Sequence, residues 1–164
     1  MLIVLGGRPG VGKSTIARQL CRDLPAAWLR IDTIEQTLRN TGLKVWAEGY
    51  EVAYALAAEN LKAGATVVAD CVNPLPITRN AWVAVAARAG ARLLELELFC
   101  SDQAAHRRRV ETRVADIPGH RIPTWADVQT HEYEPWDRPI PRLDTAGRTP
   151  EAVITAVHAI LKKK

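Results

Sequence analysis

Residues 7–14, Gly7–Arg8–Pro9–Gly10–Val11–Gly12–Lys13–Ser14, satisfy the pattern G-x-x-x-x-G-K-[ST] at every position. The glycines allow backbone torsions and a close approach that a Cβ would block, so successive N–H groups can converge on one concavity and surround phosphate oxygens. A helix starting at Lys13 adds its positive N-terminal end. In that cradle Lys13 neutralises the outer phosphates, Ser14 holds Mg²⁺ and Thr15 reaches the α-phosphate. Preceded by the apolar run LIVL (2–5) and followed by an amphipathic stretch, the pattern predicts phosphate binding.

Two aspartates follow at ends of apolar runs. Asp32 closes AWLRI (27–31), where a carboxylate can take a proton from a substrate hydroxyl or cap the helix beginning TIEQTL. Asp70 closes TVVAD and is the candidate for holding Mg²⁺, with a turn cap or a substrate contact as alternatives. Asn73 and Arg79, just beyond, are candidate substrate contacts. Arg109 and Arg113 stand four apart on one predicted helix face, entering a proline-flanked segment that contains His120 and Arg121. Phosphoryl transfer without an external activator needs cations over the moving phosphate, and a lid over about 107–124 would supply them. Arg113 is the catalytic candidate and Arg109 the nucleotide contact.

The stretch LDTAG (143–147) matches the D-x-x-G of GTP switches. It follows the fifth predicted strand, however, and no N-K-x-D guanine-reading motif occurs. Residues 144–148 therefore read as a loop beside an adenine, with Gly147 and Arg148 at the base. Trp46, Tyr50 and Tyr54 fall where an acceptor would stack.

These residues need elements to hold them. Short apolar strands at 2–5, 27–31, 64–70 and 91–99 and a brief one near 142 alternate with helices at 13–23, 46–62, 77–89, 102–115 and from Pro150. That alternation predicts a three-layer α/β domain with a largely parallel sheet. In ARLLELELF (91–99) leucines alternate with glutamates, which predicts partial exposure. No repeat or boundary divides residues 1–164, so one domain is expected.

Composition bounds the function more loosely. The chain has 164 residues, 48% hydrophobic and 24% charged, with net charge +4, which favours anionic ligands without choosing among them. Three cysteines without metal-like spacing read as core residues of a reducing compartment. With no run of about 18 apolar residues, no membrane partner and a cytoplasmic location are expected.

The phosphate loop, Asp32, VVADCVNP…R (67–79), the R-x-x-x-R of the lid and the late HEYEPW together resemble the zeta-toxin/polynucleotide-kinase-like P-loop kinases. Chloramphenicol phosphotransferase and gluconate kinase belong to the same broad set. The resemblance implies a P-loop NTPase fold with five parallel strands in order 2-3-1-4-5, and ATP–Mg²⁺ as donor. It also implies Asp32 as general base, Arg113 from the lid, and a hydroxyl acceptor. Polynucleotide-end kinases often carry arginine three residues after that aspartate; here the position is Glu35. The expected acceptor is thus a small sugar, polyol, nucleoside or antibiotic. Nucleic-acid 5′-hydroxyls and a non-kinase regulatory ATP module are the alternatives.

Overall fold

In the computed structural model, which describes residues 1–163, apolar runs become parallel strands and amphipathic stretches cover them. β1 (Leu2–Gly6) is buried along its whole length, as a central parallel strand must be. α1 (Lys13–Asp23), β2 (Ala26–Arg30), α2 (Ile31–Asn40), α3 (Glu48–Lys62) and β3 (Thr66–Asp70) follow. Then come α4 (Pro76–Arg88), β4 (Leu93–Phe99), α5 (Gln103–Thr112), α6 (Trp125–Thr130), β5 (Arg142–Asp144) and α7 (Pro150–Lys163). All strands are parallel, in order β2-β3-β1-β4-β5, the order the family resemblance implies.

The sheet has one apolar layer on each face. Ile3, Leu5, Leu94, Leu96 and Leu98 meet Ile16 and Leu20 of α1 and Val153 and Val157 of α7. Leu2, Val4, Val67 and Ala69 meet Ala53 and Ala57 of α3 and Trp82 and Val85 of α4. Register then fixes the functional edge. Asp70 pairs with Leu5 on one side and Arg30 on the other, so the ends of β1, β2 and β3 lie level.

Two local expectations change. β2 stops at Arg30, where its pairing with β3 ends, so Asp32 lies in the first turn of α2 instead of ending a strand. The same edge of the sheet still receives it. The glutamates of β4 are buried rather than partly exposed, because the return segment 133–142 crosses that face. Arg138 grips Glu95 through two hydrogen bonds of 2.8 and 2.6 Å. Glu97 accepts from Arg142 at 2.5 Å and from the Tyr133 hydroxyl at 2.9 Å. Buried carboxylates persist here because each is fully partnered.

Candidate active site

The phosphate loop runs from β1 into α1, and its backbone is set by glycine. Gly7 has φ 136°, and a Cβ there would run into the Leu98 carbonyl. Gly10 has φ 84°, and a Cβ would lie 2.5 Å from Val110 Cγ2 of α5. α5 thus packs directly on the loop. His106, buried on the same helix, hydrogen-bonds the Pro9 carbonyl through Nε2 at 2.8 Å and meets Trp125 edge-on, ring centroids 5.1 Å apart. Arg8 turns its side chain outward and donates to the carbonyls of Val128 and His131 at 2.7 and 3.0 Å. Only its backbone is available to a phosphate.

Lys13 is buried at the start of α1, where its ammonium donates to the Gly7 and Arg8 carbonyls at 2.7 and 3.1 Å. Burial lowers its pKa, against the pull of Asp70 and Asp32. Asp70, 4% exposed, is pushed the opposite way by the same burial, opposed by Lys13 and the Ser14 hydroxyl. Its Oδ2 has no hydrogen-bond partner, and Arg30 Nε stands 3.9 Å away. A buried carboxylate oxygen without a donor, next to a hydroxyl, is a set of hard ligands that suits Mg²⁺. Among the described residues no group of three or more His, Cys, Asp or Glu side chains could hold a metal alone. A cation here would complete its shell from phosphate oxygens and water.

One cleft of about 1070 Å³ joins these groups. Lys13, Ser14, Thr15, Asp32 and Asp70 line it, as do Arg109, Arg113 and Arg148. α5 ends at Thr112, three residues earlier than its sequence suggested, and Arg113 caps it. The Arg113 charge is felt at Lys13, so the two cations share the phosphate end. Arg109 donates to the Thr145 hydroxyl and carbonyl at 2.9 and 2.8 Å, tying α5 to the loop after β5. In that loop Asp144 Oδ1 accepts from the amides of Ser101 and Ala146, each at 3.0 Å, a structural use of DTAG.

Gly7, Arg8 and Gly147 do not line the cleft, and neither do the substrate candidates Asn73 and Arg79. Arg79 is fully buried and donates to the carbonyls of Asn73, Pro74, Glu134 and Pro135 at 2.6–3.0 Å, with its guanidinium 4.3 Å from the Trp136 ring centroid. It clamps the turn after β3 to the return segment, spending four of its five N–H donors on backbone carbonyls where the cleft does not reach it. Asn73 is also fully buried, at φ 55°, and shapes that turn. Its amide N–H donates to the Tyr50 hydroxyl at 3.0 Å.

The cleft also contains Arg18, Arg30 and Asp116, which no motif marks, and Glu35. Arg30 makes a two-bond pair with Asp116 of the lid segment at 2.8 and 2.9 Å, and Arg18 reaches the same carboxylate at 3.1 Å. The Arg30 guanidinium holds the Asp116 carboxyl down to about 2. A charged residue closing the otherwise apolar strand AAWLR was the available signal. Glu35 faces the cleft beside Gly49 of α3, and burial pushes its carboxyl up while Arg39 draws it down.

Against known proteins, a family profile described as an AAA domain matches residues 2–130. The chain belongs to that family. Its phosphate loop and strand order are those of the P-loop kinase fold. A relative, shikimate kinase of Frankia casuarinae, is 29% identical over 98% of this chain and 72% of its own length. Two solved structures share the fold. APS kinase of Mycobacterium tuberculosis, in complex with AMPPNP and APS, superposes with TM-score 0.72 at 21% identity, covering 98% of this chain and 96% of that one. A gluconokinase from Sinorhizobium meliloti gives TM-score 0.68 at 18% identity, covering 98% and 91%. These matches support the P-loop kinase class and its nucleotide-binding loop. No helix among the described residues is long and apolar enough to cross a membrane.

Proposed function

We propose that the protein transfers the γ-phosphate of ATP to a hydroxyl of a small molecule, with Asp32 as general base. The observation that carries this reading is the single cleft holding the Lys13 loop at one end, Asp32 beside it and Arg109 and Arg113 above. Shikimate kinase, gluconokinase and APS kinase, whose names specify small acceptors, support the same class. The motifs that resemble zeta-toxin/polynucleotide-kinase-like enzymes add the roles of Asp32 and the lid arginines.

In this reading the loop amides from Gly7 to Thr15 and the Lys13 ammonium hold the phosphates in line. The 144–148 loop, with Gly147 and Arg148, borders the base, and Arg109 fixes it to α5. Mg²⁺, which neutralises phosphate charge, would be held by Ser14 and Asp70. Asp32 accepts the hydroxyl proton as the acceptor oxygen bonds to the γ-phosphorus. The bond to the bridging oxygen breaks and its electron pair leaves with ADP. Arg113 spreads the charge that develops on the equatorial oxygens.

Asn73 and Arg79 contribute to this site only through the stability of the turn after β3. A nucleic-acid acceptor is the weaker reading, since Glu35 stands where an arginine would grip a terminal phosphate. Incubating the protein with ATP, MgCl₂ and a panel of sugars, polyols, nucleosides, antibiotics and 5′-hydroxyl oligonucleotides tests both. A small-molecule phosphoester supports the proposal; labelling confined to oligonucleotide ends would replace it. A cytoplasmic location fits this chemistry, which draws on cytosolic ATP.

A further inference from the structure

The two ends of the cleft carry opposite charge. Away from the phosphate loop its walls come from α2, α3 with the turn before it, and α4, including Asp32, Glu35, Trp46, Tyr50, Glu51 and Tyr54. No lysine or arginine from these three helices lines it. The carboxylates are arranged by helical spacing: Asp32 and Glu35 are three apart on one face of α2, and Glu51 lies in the first turn of α3. Gly49 lets α3 approach so closely that a Cβ there would collide with Glu35 Cγ.

Cations from other elements reach this end, and most are already committed. Arg18 and Arg30 share Asp116, with Arg30 bound through two nitrogens. Arg121 pairs with Asp127 at 3.1 Å. Arg113 belongs to the phosphate end, where its charge acts on Lys13. Glu35 receives one bond, 2.9 Å, from Arg39 to Oε2, and faces His120 across the cleft. Asp32 and Glu51 are not among the acids paired with Arg18, Arg30, Arg39 or Arg121. Beside them the Trp46 ring is 83% exposed, and Tyr50 and Tyr54 form the wall below it, centroids 5.9 Å apart.

We infer that the accepting hydroxyl belongs to a compound that also carries a protonated amine, as an amino alcohol or amino sugar does. The inference rests on the phosphotransfer reading and names its substrate class. An ammonium set between Glu35 and Glu51 supplies the charge their wall lacks, and aromatic faces attract the same cation. The hydroxyl then falls to Asp32. An acceptor bearing a carboxylate or phosphate would meet several acids, while the arginines nearest them, Arg18, Arg30 and Arg121, are already paired. The amine stays protonated, and only the hydroxyl proton passes to Asp32.

The test uses the purified protein with ATP, MgCl₂ and three matched acceptor sets: 2-aminoethanol and glucosamine, glycerol and glucose, glycolate and gluconate. Phosphoesters are identified by ³¹P NMR and initial rates give kcat/KM. The amino set is expected to exceed the neutral set by at least about tenfold and the acidic set by about a hundredfold, as a charge-matched site discriminates. Glu35→Gln and Glu51→Gln, each first shown to melt cooperatively near the parent temperature, should lower kcat/KM for the amines about fivefold or more. For the neutral set the change should stay below about twofold. Equal or better transfer to neutral or acidic compounds would overturn the inference while leaving the kinase reading intact. Equal losses for both sets in both variants would also overturn it, since they mark a merely structural role. If no set yields a phosphoester although AMPPNP binds, the phosphotransfer reading fails together with it.

Discussion

The two ends of the cleft are built by different physics. At the phosphate end one contiguous loop folds back on itself, with Lys13 tied to Gly7 and Arg8, and α5 packs it down through Val110 on Gly10 and His106 on Pro9. At the acceptor end the groups come from α2, α3, α4 and the lid, and several are exposed, Trp46 and Val114 among them. In the proposed function the first end serves a constant ligand, a polyphosphate. The second is held together by a few long-range contacts, chiefly Arg30–Asp116 and the Glu35–Gly49 packing. On the proposed function, reaction type is set at one end and acceptor choice at the other.

Lys13→Ala should break the phosphate end most severely. With the fold retained by circular dichroism, ATP turnover should fall by about 10²–10³-fold, the scale for removing a charge that stabilises the transferring group. Arg79→Ala attacks the same end from behind. It deletes a buried cation with four backbone acceptors, so unfolding by urea should show about 3–5 kcal/mol lost. Activity should decline only as far as the folded fraction does, because Arg79 lies outside the cleft. A full loss of activity at unchanged stability would return it to the substrate site.

Gly49→Ala is the sharper probe of the acceptor end. The added methyl displaces Glu35, so acceptor KM should rise about tenfold while ATP KM stays near parent, a split of about 1.4 kcal/mol. Equal change in both constants would mean the two ends are not separable.

Asp116→Asn is the mildest expected change. The folded-state pKa of Asp116 lies near 2, below its unfolded value of about 3.9, so its contribution is present above about pH 4 and vanishes as pH falls toward 2. Its carboxylate is 42% exposed, so screening leaves about 0.5–1 kcal/mol. Denaturation at pH 7 should show that difference between parent and variant, and denaturation near pH 2 should show none.

The same contrast explains what the sequence could say. The phosphate end is local, within residues 7–15, so its residue types and spacing alone described it. The strand order followed from family resemblance, and apolar runs located each strand. Arg79 misled because its spacing after Asp70 says nothing of Pro135, whose carbonyl it binds across 56 residues. The β4 glutamates misled for the same reason, since their partners Arg138 and Arg142 arrive more than 40 residues later. Asp116 and Arg30 could not be paired from sequence at all, because 86 residues separate them and only the lid's path joins them. Asp32, one residue inside a helix instead of at a strand end, shows that an edge can be predicted when an element boundary is not.

In the proposed reaction Asp32 takes the acceptor proton while the phosphate loop holds the donor. The most direct test is single-turnover transfer of labelled γ-phosphate to an accepted hydroxyl by parent and Asp32→Asn, alongside AMPPNP binding by each. Asp32→Asn should lose at least about 10²-fold in transfer while its nucleotide affinity changes less than about threefold. Transfer by Asp32→Asn at the parent rate would contradict it.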